Sequence, residues 1–324
     1  MTRLGCTAAV ADGYGTCVGE PGAAAATGGV HGFPAALTSF VGRDQAVCEL
    51  AGRLGDCRLV TVTGPGGSGK TRLAGQVARR VAGRFADGAW LVELAPVQDP
   101  VQVPAVVAVA LGVLEQRGVP AAEAVARVLA GRQLLLVLDN CEHVVGAAAE
   151  LCVGLLAACD DLRILATSRE PLAVAGEARY RLGPLALPDL DDLADAARAE
   201  AVTLFVDRAR HADAGFVLDG QTGPAVARLV TRLDGMPLAI ELAAARVEAL
   251  GVTQLADRLG DRLRCWPAGT GRRRPGSGRW PPLWTGATSC SMTTSAGCSA
   301  RSRCSLGRSR WRGPRRSPGR TRAR

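Results

Sequence analysis

Apolar positions along the chain alternate between two patterns, short continuous runs and longer stretches at helical spacing. Val47, Leu50, Ala51 and Leu54 recur at helical period within 37–54, where Thr38 or Ser39 is placed to cap. Leu59–Thr63 is a β-branched run and predicts a buried strand. A glycine cluster follows it at once, and then Leu73, Val77 and Val81 mark one face of a helix beginning at Thr71. The alternation continues through 88–94 (strand), 103–114 (buried helix), 121–130 (helix), 132–140 (buried strand), 143–158 (helix), 162–170 (buried strand) and 178–185 (short strand). Nearly unbroken apolar strands separated by helices predict an α/β fold with a parallel sheet covered by helices on both faces.

From Asp189 onward strand-like runs cease. Segments 191–213 and 223–250 read as helical, and another helix begins near 253, so a small helical domain is expected after the sheet. The division that follows is a Gly/Ala-rich flexible leader at 1–36, a nucleotide-type α/β domain at 37–188, a helical lid domain at 189–263, and a tail at 264–324.

Charge sharpens this division. The formal charge of +9 is misleading as a whole, because residues 265–324 hold 14 Arg and no acid, whereas the rest holds 25 basic and 30 acidic residues. The body is mildly acidic and carries no basic footprint for nucleic acid. Of 11 cysteines, Cys6, Cys17, Cys48, Cys57, Cys141, Cys152 and Cys159 lie in the body, and none forms a CxxC pair. They read as core or incidental thiols in a reducing cytoplasm rather than a metal site. The opening residues lack the apolar stretch of a signal peptide, and no run reaches membrane-spanning length, so neither export nor a membrane partner is expected.

The chemistry concentrates in "GPGGSGKT", Gly64, Pro65, Gly66, Gly67, Ser68, Gly69, Lys70 and Thr71. This matches G-x-x-x-x-G-K-[ST] between a strand and a helix. Glycines let the backbone wrap closely and turn its N–H groups toward phosphate oxygens, and the following helix presents its positive end to the same anion. Lys70, the chain's only lysine, is expected to reach the β- and γ-phosphates, and the Thr71 hydroxyl to meet Mg2+. Arg72 follows inside the helix and belongs to the same nucleotide-binding stretch. Asp139 ends the apolar strand "LLLVLD" and is placed to hold Mg2+ through water. Glu142 and His143 could each orient water, or serve only as capping or surface groups. Thr167, Ser168 and Arg169 stand at the tip of the next buried strand, from which Arg169 could reach a γ-phosphate.

Six segments in order, "LTSFVGRD", "VTVTGPGGSGKTRLA", "LLLVLDNCEHV", "LRILATSREPL", "EAVTLFVDRAR" and "LDGMPLAIELAAAR", resemble the STAND signalling ATPases related to NB-ARC switches. The likeness is greatest to those of bacterial regulators carrying LuxR- or SARP-type DNA-binding domains, and it covers residues 31–263. The resemblance implies that Val41, Gly42 and Arg43 sit near adenine and ribose, that Arg169 is the sensor arginine, and that Pro237 lies against the nucleotide from the helical domain. By itself "GMP" reads only as a helix start with Pro at the first position. The resemblance also implies that ADP holds a closed state and that ATP opens it, with slow hydrolysis and self-association in the ATP state. "LDN" lacks the second acid found after the magnesium Asp in many relatives, so the base for water stays open.

The expected function is therefore an ATP/ADP-binding switch with Mg2+ as cofactor; a stand-alone ATPase and a nonfunctional fragment are the alternatives. No helix-turn-helix or sensor repeat is visible, so DNA would be met only through a domain not visible in this chain. The tail, free of Val, Ile, Phe, Asp and Glu, could be a nonspecific basic arm, plain disorder, or GC-rich codons read out of frame. "LWTGATSC" at 283–290 has synonymous codons whose shifted frame reads "VDWSYEL", and the resemblance implies a "DWSY" segment just after the nucleotide module. A frameshift near 262–266 is the expected origin of the tail.

Overall fold

The computed structural model describes residues 29–35, 37–114, 117–189 and 196–264, with the side chains of 260–264 excepted. The tail reading lies outside these residues, as does nearly all of the leader. Six strands, β1 (Val30–His31), β2 (Leu59–Thr63), β3 (Ala89–Glu93), β4 (Leu135–Asp139), β5 (Arg163–Ser168) and β6 (Glu177–Arg181), form one sheet in the order β1-β3-β4-β5-β2-β6. Every pairing is parallel.

Alternation along each strand assigns its two faces. Val60, Val62, Leu135, Val137 and Leu165 pack against α1 (Asp44–Asp56) and α2 (Lys70–Val81). Leu59, Leu136, Leu138, Ile164 and Ala166 pack on the opposite side with α3 (Val103–Ala110), α4 (Ala121–Leu129) and α5 (Val145–Ala158). Both faces of β4 are thus buried, which explains why its sequence shows no polar alternation.

After β2 the chain crosses past β5 and β4 to form β3. Ligands of open α/β sheets bind beyond the carboxyl ends of the strands where the order switches in this way. Because β5 lies between β2 and β4, its tip stands between the glycine loop and Asp139.

The helical part comprises α6 (Glu200–Ala212), α7 (Thr222–Arg232), α8 (Pro237–Ala244), α9 (Val247–Leu250) and α10 (Val252–Arg264). It has its own core, in which Phe205, Val226, Leu229, Val230 and Ile240 are almost wholly buried. The turn into α8 runs through Asp234 and Gly235, both at positive φ, and delivers Pro237 as the first helical residue.

Three local expectations are corrected. The flexible leader does not extend to residue 36: β1 adds to the sheet edge beside β3, and His31 stacks on Trp90 at 4.2 Å. Two residues without apolar periodicity gave no signal of a strand. The first helix starts at Asp44, not beside Thr38 or Ser39, and is preceded by Arg43 in the left-handed conformation with no side-chain cap. The segment 223–250 is three helices, because Gly235 and the turn at 245–246 interrupt a continuous apolar pattern. Among the described residues, no helix is long and apolar enough to cross a membrane.

Candidate functional site

The glycine loop leaves β2 and enters α2 through Gly69, whose φ of 89° a side chain would strain. Its residues do not all face the same way. Gly66 through Arg72 line a cavity of about 340 Å3, together with Phe40, Val41 and Arg43 from before α1, and Pro237, Leu238 and Glu241 from α8. Gly64 is turned inward, where an added Cβ would stand 2.9 Å from the Leu182 carbonyl. Gly64 and Pro65 instead contribute their carbonyls, which accept from Lys70 Nζ at 3.0 and 3.2 Å.

Lys70 is only 8% exposed. Burial pushes its ammonium below the ordinary lysine value, Glu142 and Asp139 oppose that shift, and Arg169 adds to it. A cation drawn out of water and flanked by backbone N–H groups of a helix start is suited to phosphate.

Asp139 is 6% exposed and accepts at short range from two hydroxyls. Thr71 Oγ1 donates to its Oδ1 and Oδ2 at 2.8 and 2.9 Å, and Thr167 Oγ1 donates to Oδ1 at 2.6 Å. Thr167 Oγ1 in turn accepts from the Asn140 N–H at 2.9 Å. The sheet order produces this cluster, since the β5 tip must lie between Thr71 and Asp139. A carboxylate and a hydroxyl held together are hard oxygen donors of the kind Mg2+ takes from proteins, with phosphate oxygens and water completing its shell. The residues present therefore fit Mg2+, with Thr71 and Asp139 as its holders. Among the described residues no group of three or more His, Cys, Asp or Glu could hold a metal by itself.

Arg169 reaches over the loop: an ideal Cβ on Gly66 would lie 3.5 Å from its Nη2. Its Nε donates to Glu142 Oε1 at 3.0 Å. Arg43 lines the cavity, but its Nη2 is committed to the Ser68 and Gly183 carbonyls at 3.2 and 2.9 Å, so it buttresses the loop. Burial lowers its pKa from the ordinary arginine value, and Glu200 and Tyr180 oppose the shift. Gly42 does not line the cavity; its backbone presses on Glu200, which accepts from Arg43 N–H at 2.5 Å and from Ala186 N–H at 3.2 Å. Arg72 lines the cavity but turns its guanidinium to Thr38, Ser39 and Glu241.

The helical part meets the loop directly. Leu238 N–H donates to the Gly67 carbonyl at 3.2 Å, and Pro237 stands beside it in the cavity wall. Behind this contact lies a network that the sequence did not reveal. Glu241 accepts from Arg72 and from Arg208 Nε, each at 3.0 Å, and Arg208 also donates to Ser39 Oγ and to the Ser39 carbonyl at 3.0 and 2.8 Å. Arg208 also pairs with Asp207. The only signal was an arginine on the otherwise apolar face of "EAVTLFVDRAR", where Arg208 is 8% exposed.

Comparison with known proteins agrees with this geometry. A family described as "Novel STAND NTPase 1" matches residues 33–206. An uncharacterized protein of Mycobacterium tuberculosis is 42% identical over 228 residues, which is 70% of this chain and 56% of that protein. A protein of the same species, named as an HTH-type transcriptional regulator, is 44% identical over 212 residues, 65% of this chain and 23% of its own length. The regulatory protein AfsR of Streptomyces griseus is 31% identical over 249 residues, 72% of this chain and 23% of its own. The chain thus spans little more than half of the first relative and about a quarter of the two regulators. With more than half its length matched, and with the parallel sheet and glycine loop that such a domain requires, the chain belongs to the STAND NTPase family.

Proposed function

We propose that this chain binds ATP and ADP with Mg2+ and works as the nucleotide switch of a bacterial transcriptional regulator in the cytoplasm, with slow hydrolysis resetting it. The observation that carries this reading is the Leu238 N–H bond to Gly67, which ties the helical part to the phosphate loop itself. A phosphate seated on Gly66–Thr71 acts on a loop whose backbone is already bonded to α8. The nucleotide can then bias the angle between the two parts, and differential affinity for two arrangements is all that a switch requires. In this reading Lys70 and Arg169 meet the β- and γ-phosphates, and Thr71 and Asp139 hold Mg2+, which supplies charge neutralisation at the phosphates. Val41 and Phe40 face the base, Gly42 and Arg43 fix that wall, and Pro237 closes the lid. A relative named as an HTH-type transcriptional regulator supports transcription as the output. In this reading DNA is contacted by a further domain, and the ATP state self-associates.

Titration of the full chain with ATP and with ADP tests this, followed by limited proteolysis of each complex. Both nucleotides are expected to bind, to give different cleavage patterns, and to bind at least about 100-fold more weakly to Lys70→Ala, a loss matching one buried charge-assisted contact. Failure of either nucleotide to bind would sink the reading.

A further inference from the structure

The residue after Asp139 is Asn140, whose amide cannot take a proton from water, so a hydrolytic base must come from elsewhere in the cavity. The backbone at Asn140 answers this, because its φ of 64° and ψ of 52° bend the chain into the short turn Cys141–His143. The two polar residues of that turn face opposite ways. His143 is exposed, and its Nε2 pairs with the Val97 carbonyl at 2.8 Å, away from the loop. Glu142 points back into the cavity that Gly66, Lys70 and Arg169 line, and its side chain is only 14% exposed.

That carboxylate is held on two sides. Arg169 Nε donates to its Oε1 at 3.0 Å. With its amide oriented to suit the hydrogen bonding, Asn140 donates to Oε1 at 2.9 Å and to Oε2 at 3.1 Å. The same guanidinium lies against the glycine loop, since its Nη2 and Nε are 3.5 and 3.9 Å from an ideal Cβ on Gly66. A planar guanidinium carries five N–H donors in a fixed fork. Its Nε holds Glu142 while the group lies beside the phosphate cradle.

We propose that Glu142 is the carboxylate that activates water for hydrolysis, and that Arg169 positions it beside the terminal phosphate. This rests on the nucleotide reading above. The water oxygen bonds to the γ-phosphorus while the bond to the β–γ bridging oxygen breaks, and that electron pair leaves with ADP. Glu142 takes the water proton and releases it to solvent once inorganic phosphate departs. Glu142 is the catalytic group, and Arg169 and Asn140 are positioning residues with respect to it.

The test uses the full chain with MgATP, measuring affinity by titration and phosphate release in single turnover. Glu142→Gln is expected to bind ADP and ATP within about threefold of wild type and to hydrolyse at least about 100-fold more slowly, the usual size of a lost general base. Glu142→Asp should recover part of the rate. Arg169→Lys keeps the charge but not the fork, so kcat should fall further than KM rises. Hydrolysis by Glu142→Gln within threefold of wild type would overturn the assignment. So would a wild-type chain that binds both nucleotides without turnover above the uncatalysed rate, although the switch reading would then survive. Absence of binding in the wild type would instead remove the nucleotide reading itself.

Discussion

At the scale of single residues, the sequence displayed the glycine loop and its lysine because that motif is local. Eight consecutive positions carry the loop, and Asp139 ends its strand, so backbone order alone places them. Glu142 was ambiguous for the opposite reason, since its direction depends on the left-handed turn at Asn140, which no neighbouring residue announces. Gly67 illustrates a third case. The motif explains a glycine there by loop flexibility, but the structure adds an interface: an added Cβ would lie 2.8 Å from Leu238 Cβ and 3.0 Å from its Cδ2, at a φ of 77°. Gly67→Ala should therefore press α8 away from the loop and weaken nucleotide affinity at least about tenfold, beyond the ~1–2 kcal/mol backbone cost. Gly112→Ala is the control, with a similar φ of 69° and nothing within 4 Å. Thermal unfolding and nucleotide titration of both variants should show the backbone cost in each, and a loss of affinity only for Gly67→Ala.

At the scale of elements, the strands and most helices were legible because a sheet buried on both faces writes continuous apolar runs into the chain. The long-range polar contacts were not. Arg72 and Glu241, or Arg208 and Ser39, are 169 residues apart, and each side chain alone reads as an ordinary surface charge or cap. The same holds at β6, whose sequence "EARYR" suggests an exposed edge. Its first residue, Glu177, has a side chain only 1% exposed, and it accepts from Leu172 N–H at 2.8 Å, Ala173 N–H at 3.2 Å and Arg179 Nε at 2.8 Å. Burial alone would raise its pKa, but the Arg179 guanidinium and the Leu172 N–H help to outweigh burial and hold the carboxyl below the ordinary glutamate value. A folded pKa below the unfolded one stabilises the fold fully above about pH 4.3, the unfolded value, and this contribution disappears as pH falls through the folded value. Glu177→Gln should thus cost roughly 1–3 kcal/mol at pH 7. It should also remove part of the acid-side slope of Tm, so that the difference between the two proteins narrows as pH falls below about 4.3. A constant difference in Tm between pH 7 and pH 3 would contradict this account.

At the scale of the whole molecule, two sequences of different character share one chain. The first 264 residues use acids, β-branched residues and helical period, and the described part of them builds a sheet, a glycine loop and a helical part. The last 60 residues contain 14 Arg, four Cys and four Trp, but no Asp, Glu, Val, Ile or Phe. Four scattered Trp and four Cys fit neither a selected linker nor a disulfide module well. Reading GC-rich codons one base out of step, by contrast, yields Arg, Gly, Pro, Ser, Cys and Trp together. On this account the +9 net charge measures an accident of frame, and the acidic body governs how the molecule meets nucleic acid. The coding DNA decides the matter. Resequencing the locus should reveal a single-base insertion or deletion close to codons 262–266 whose correction changes "LWTGATSC" into a stretch of the "DWSY" kind and returns acids and apolar periodicity downstream. If no single-base change within that window does so, the frameshift account fails, and the tail is a basic arm or plain disorder encoded in frame.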